Sequence, residues 1–124
     1  MRIKIDKADK LFSIYIRTKA NWTCQRCGKK YPEGSRGLHN SHFWGRGREN
    51  TRYDEINCDA ICFGCHQYFG ANPAEYAEWK KKRLGEKKYD KLMLRAHTYC
   101  KKDRKLALFK TKLLLEKLKS LSEQ

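Results

Sequence analysis

The stretches CQRCGKK at residues 24–30 and CFGCH at residues 62–66 decide how this chain is read. Each holds a C-x-x-C pair, and 34 residues separate Cys27 from Cys62. Cys24, Cys27, Cys62 and Cys65 supply four thiolates, enough to close a tetrahedral zinc site. A closed site leaves no position for a substrate, so the expected ion is structural. It would clamp the two ends of a small β-to-helix unit and leave the intervening insert to carry the chemistry. Gly28 follows the second cysteine, where such turns require positive φ. A redox-active C-x-x-C is the competing reading, but it opens a helix in a βαβ unit and no such unit is legible here. Of the two remaining cysteines, Cys58 reads as a small buried apolar side chain and Cys100 as a free thiol.

Composition supports a stapled fold. With 124 residues, 40% hydrophobic and 35% charged, the chain allows one compact domain plus an appendage and only a small core. Small cores are stabilised by disulfides, a metal or a partner. No apolar run approaches the roughly 18 residues that span a bilayer. The opening MRIKIDKADK has no apolar signal core, so a soluble, cytoplasmic protein with no membrane partner is expected (the host cytoplasm, if the chain is phage-encoded).

The net charge of +15 points to a polyanion, nucleic acid before an acidic membrane surface. Residues 80–124 carry 16 basic and 5 acidic side chains, net +11, whereas residues 1–79 are net +4. The electrostatic attraction therefore sits mostly in the C-terminal part. Lys80, Lys81, Lys82 and Arg83 are its first candidate phosphate contacts, and its affinity would fall steeply with salt.

Periodicity predicts the elements. Leu11, Phe12, Tyr15 and Ile16 recur at helical spacing, and Asp9 can cap a short helix leading into the first cysteine pair. LHNSHFW (38–44) reads as a strand. GRGRENTRYDEIN (45–57) is a polar connection that no core is expected to bury. DAICFGCHQYFG (59–70) should carry the second cysteine pair into a helix. NPAEYAEWKKKRLG is a helix with Asn72 as cap, Pro73 first and Gly85 beyond its end. EKKYDKLMLRAH (86–97) forms another, with Tyr89, Leu92, Met93 and Ala96 on one side. A last helix from about Arg104 to Leu121 has Leu106, Phe109, Leu113, Leu114, Leu118 and Leu121 as its apolar stripe. That stripe admits a monomer or a homodimer.

The insert orders a histidine, an asparagine and a second histidine beside the cysteine pairs. The motifs LFSIYIR…CQRC, LHNSHF, TRYDEIN and CFGCHQYF…NPAEY run in order over residues 9–79. In that order and spacing the chain resembles the HNH endonucleases, also called ββα-metal or His-Me finger nucleases. It is most similar to small phage and prophage members of the NinG recombination-associated type.

The resemblance implies an α+β fold. A zinc-stapled ββα-metal core with an N-terminal helix would occupy residues 1–79, and basic C-terminal helices residues 80–124. It implies metal-dependent hydrolysis of DNA, double-stranded or branched, leaving 5′-phosphate and 3′-hydroxyl ends. His42 matches the general base, Asn57 the residue that orients the base or its loop, and His66 a ligand of the catalytic divalent ion, Mg²⁺ or Mn²⁺. The chain departs from the family at Ser41, where many members carry a metal-binding Asp or His. His39 is the candidate substitute, although on a regular strand His39 and His42 face opposite sides.

Arg46, Arg48 and Arg52 lie between base and asparagine and suit phosphate. Trp44 is expected to cover the zinc site. Asp54, Glu55 and Asp59 read as solvated carboxylates, and His97 as a structural histidine. The rival function is a non-catalytic zinc-knuckle module that binds nucleic acid. It would need no base and no open metal site.

Overall fold

A computed structural model describes residues 3–122. In chain order its elements are α1 (Lys7–Lys19), β1 (Leu38–His42), α2 (Glu49–Arg52), β2 (Cys58–Cys62), α3 (Phe63–Ala71), α4 (Pro73–Leu84), α5 (Glu86–Ala96) and α6 (Arg104–Ser122). The fold is a small α+β arrangement built around one two-stranded sheet.

β1 and β2 pair antiparallel from Leu38 opposite Cys62 to His42 opposite Cys58, and α3 follows β2 without a linker. Opposed residues share a face and successive residues alternate between faces. One face therefore carries Leu38, Asn40 and His42 with Cys58, Ala60 and Cys62. The other carries His39 and Ser41 with Asp59 and Ile61. The second face meets α3 and α4. His39 lies against His66, Ser41 Oγ is 2.7 Å from Tyr76 Oη, and Lys80 Nζ reaches Asp59 Oδ2 at 2.6 Å. Phe12, Tyr15 and Ile16 of α1 share one apolar cluster with Leu38, Ala60, Ile61 and Phe69.

The helix expected near residue 9 begins earlier. Asp6, not Asp9, is its N-cap. Asp6 Oδ1 accepts from the Asp9 N–H at 2.8 Å, and Asp9 Oδ2 accepts from the Asp6 N–H at 2.9 Å. This reciprocal box satisfies two backbone donors that a helix start leaves open. It also fixes the Asp9 carboxylate, whose Oδ1 receives Arg52 Nε at 2.9 Å. Burial would raise the pKa of Asp9, but the Arg52 hydrogen bond and charge hold it below the ordinary carboxylate value.

Four further expectations change. The connection 45–57 is not wholly polar surface: it contains α2, and Thr51, Arg52 and Asn57 are buried. The side chains of these three residues all have hydrogen-bond partners, which is what makes their burial tolerable. The boundary expected after Trp79 falls inside α4, which runs unbroken through Lys80. The Asn72 side chain donates to the Tyr68 carbonyl at 2.8 Å instead of capping α4. In α6 the inward face is Ala107, Thr111, Leu114, Leu115 and Leu118, while Leu106, Phe109, Leu113 and Leu121 of the expected stripe are exposed. Thr111 can be buried because its hydroxyl donates to the Ala107 carbonyl at 2.8 Å.

Among the described residues no helix is long and apolar enough to cross a membrane.

Candidate functional site

The sulfur atoms of Cys24, Cys27, Cys62 and Cys65 all lie within 4.8 Å of one another. Zn–S bonds of about 2.3 Å in a tetrahedron place sulfurs about 3.8 Å apart, and Cys27 Sγ is 3.8 Å from Cys62 Sγ. That spacing far exceeds a disulfide bond, about 2.05 Å; all four cysteines are free. The donor set and its spacing fit a zinc ion. The backbone makes the first pair a tight loop: Gly28 takes φ +79°, and its N–H donates to the Cys24 carbonyl at 2.9 Å.

Burial alone would raise the pKa of the Cys24 thiol. N–H groups of Cys27, Cys62 and Arg26 around its sulfur instead bring it down to about 6. Arg26 Nη1 donates to Cys65 Sγ at 3.4 Å and lies over the Tyr68 and Phe69 rings. Cys58 is buried in the hairpin, apart from the cluster, and burial raises its pKa strongly, as a structural thiol requires.

His42 stands at the end of β1 beside the loop that Asn57 organises. Asn57 is fully buried. Its Oδ1 accepts from the Trp44 N–H at 2.8 Å, and its Nδ2 donates to the Trp44 carbonyl at 2.9 Å and to the Thr51 carbonyl at 3.1 Å. One amide thus ties both ends of the 44–51 loop. The next carbonyl, that of Arg52, lies 2.9 Å from His42 Nε2. Because a carbonyl only accepts, Nε2 carries the proton of the neutral ring and Nδ1 keeps a lone pair. Burial and the charge of Arg46 lower the His42 pKa to about 4, against a smaller opposing effect of the Arg52 carbonyl. The ring is therefore neutral near pH 7.

His39 and His66 meet on the opposite face. Their Nδ1 atoms are 3.0 Å apart and their rings nearly perpendicular. Two nitrogens at right angles on one ion, each about 2.1 Å from it, are also about 3.0 Å apart. The pair therefore fits a cation as well as a shared hydrogen bond. β1 is regular through His42 and contains no bulge, so His42 lies on one side of the strand and the His39–His66 pair on the other. Ser41 is turned into the interior toward Tyr76. Among the described residues no third His, Cys, Asp or Glu joins His39 and His66 in a cluster.

The expected cations divide. Arg52 is 4% exposed and held by Asp9 and by the Lys4 carbonyl, and Lys80 is 1% exposed and paired with Asp59. Neither side chain can reach a phosphate in this arrangement; both hold the hairpin to its neighbours. Arg83 shares Asp59 at 2.9 Å, whereas Lys81 and Lys82 are exposed. Arg46 keeps a buried Nε without a hydrogen bond, 3.9 Å from Asp9. Arg48 is exposed beside the Trp44 ring. Trp44 does not cover the cysteine cluster; it packs on Phe43 and His97.

Asp59 and Asp54 are paired and largely withdrawn from solvent, whereas Glu55 stays at the surface in an exposed pair, as expected. Asp59 holds Lys80 and Arg83, Asp54 holds Arg95, and Glu55 holds Lys19. The residue that reasoning from sequence missed is Arg52 in its backbone role. A carbonyl has no sequence signature, and only the loop geometry reveals it.

Comparison of the chain with protein-family models, with curated proteins and with solved structures finds no match.

Proposed function

We propose that this chain is a metal-dependent endonuclease that hydrolyses DNA phosphodiester bonds, with His42 as general base. The observation that carries the reading is the His42 Nε2–Arg52 carbonyl contact, set by Asn57. It leaves Nδ1 as an acceptor on a ring already neutral near pH 7. Water donates a proton to that nitrogen and its oxygen attacks phosphorus. The P–O bond to the 3′-oxygen then breaks, and the departing oxygen takes a proton from solvent, giving 5′-phosphate and 3′-hydroxyl ends. Arg46, whose Nε has no hydrogen bond and whose charge acts on His42, is the candidate to hold the phosphate. The zinc held by Cys24, Cys27, Cys62 and Cys65 keeps β2 and α3 in place. His39 and His66, on the other side of β1 from His42, would hold the divalent ion, whose chemistry when bound would be to offset charge on phosphate and the departing oxygen. These assignments agree with the resemblance to HNH endonucleases.

A second reading, a zinc-knuckle module that binds nucleic acid without cutting it, draws on one observation. The His39–His66 pair has only two protein donors among the described residues. Conversion of supercoiled plasmid separates the two. Zinc-loaded chain incubated with Mg²⁺, Mn²⁺, Co²⁺ or Ni²⁺ is expected to nick or linearise it. Plasmid left supercoiled by clean protein in all four metals would favour the binding module.

A further inference from the structure

A groove of about 660 Å³ lies between the 47–50 segment and the stretch 96–102 that joins α5 to α6. Its volume is in the range of small-ligand sites, roughly 300–1,000 Å³. Arg48, Asn50, Tyr99, Lys101 and Lys102 line it. Tyr99 is 89% exposed, and its ring has no partner among the described residues. Arg48, Lys101 and Lys102 form no ion pair there, while the nearby Glu49 is held by Arg104. The groove therefore combines three uncompensated cations with one free aromatic face.

A second cavity adjoins it. This cavity, of about 610 Å³, shares Gly47, Glu49 and Lys102 with the groove and is also lined by Lys4, Arg46 and Arg52. Arg52 is the residue whose carbonyl holds His42. A nucleic-acid strand with a phosphate beside Arg46 would follow the shared wall at Lys102 into the groove that Tyr99 lines.

We infer that this groove binds an unpaired nucleotide adjoining the scissile phosphate, with Tyr99 stacking on its base. The inference rests on the nucleic-acid part of the function proposed above. In a duplex both faces of each base are covered by neighbours, so a lone side chain at a groove lip can stack only on a base outside the helix. Cations beside an aromatic ring match a sugar–phosphate chain with an exposed base, whereas an apolar peptide would leave three charges unanswered. Arg48, Lys101 and Lys102 contact phosphate and Tyr99 reads no sequence.

The test is fluorescence anisotropy with the zinc-loaded full chain carrying His42→Ala, without added divalent ion. The probes are a labelled 12-mer of thymidine and a blunt duplex of equal length. Tyr99→Ala should weaken the single strand about tenfold and the duplex less than twofold. Tyr99→Phe should keep parent affinity for both. Because Tyr99 is exposed, thermal midpoints should match. Single-strand affinity within twofold of the parent in Tyr99→Ala, or equal weakening on both probes, overturns the inference. Binding is read without cleavage, so a chain that never cuts but shows this Tyr99 dependence loses the nuclease reading and keeps the groove.

Discussion

The Nε2 atom of His42 lies 2.9 Å from the carbonyl oxygen of Arg52, and this one contact sets both the tautomer and the direction of the ring. Burial and Arg46 then keep the ring neutral, with a pKa of about 4. Titration of the imidazole followed by NMR through its ring nitrogens should show Nε2–H retained from pH 8 to pH 5. The ordinary histidine value is about 6.5. Between that value and 4 the unfolded chain takes up a proton that the native ring refuses. Stability should therefore fall as pH drops through this window. A native midpoint near 6.5 would contradict the assigned environment.

Asn57 makes three hydrogen bonds to the backbone of its own loop. Asn57→Ala leaves buried backbone groups unsatisfied, at about 1–3 kcal/mol each before relaxation. Urea unfolding should show a loss of about 3 kcal/mol. Asn57→Asp keeps the acceptor for the Trp44 N–H and loses both donations, so it should fall between. Single-turnover cleavage by whichever variant still folds should slow at least tenfold with little change in DNA affinity, because the loop positions His42 and does not bind the strand.

The four-cysteine cluster joins the 24–27 turn to the start of α3 across a long insert. Metal analysis should find one zinc per chain after purification without added metal. Cys62→Ser should lower the zinc content and the thermal midpoint together, since binding energy of a structural site is folding energy. Cys100→Ser should change neither. A Cys62→Ser protein with parent stability would remove the staple from the account.

Two imidazoles suit Mn²⁺, Co²⁺, Ni²⁺ or Zn²⁺ better than Mg²⁺, which prefers oxygen donors. With Ser41 turned toward Tyr76, the proposed second site would offer only nitrogen donors, and this shifts the expected cofactor away from Mg²⁺. Cleavage at equal metal concentration should be at least tenfold faster with Mn²⁺ than with Mg²⁺. His66→Ala should abolish the Mn²⁺ stimulation. Mn²⁺ binding read by electron paramagnetic resonance should weaken in His39→Ala as well. Equal rates in both metals would reassign the pair to a hydrogen bond.

Much of this frame was legible in local chemistry. The C-x-x-C pairs place four sulfurs in one cluster, Gly28 has the positive φ its turn required, and Pro73 and Gly85 bracket α4. The first strand also forms where its aromatic and histidine content suggested. What escaped depended on partners distant in sequence. Lys80 reads as a surface cation until Asp59, 21 residues away, meets it in the interior. Arg52 reads as a phosphate ligand until Asp9 neutralises it from 43 residues away. In α6 two faces are apolar, and periodicity cannot choose between them. Thr111 faces inward because a hydroxyl bonded within its own helix can be buried, leaving Leu106, Phe109 and Leu113 outside. Trp44 has the right size to cover a metal, but the Asn57 clasp on its backbone turns it toward His97.

The most direct test compares single-turnover cleavage of plasmid by the parent and by His42→Ala in Mn²⁺, at matched zinc content and thermal midpoint. Removing a general base is expected to slow the reaction by about 10²–10⁴-fold while DNA affinity stays within twofold. A His42→Ala protein that cuts at the parent rate would contradict the account at its centre, whatever the metal sites turn out to hold.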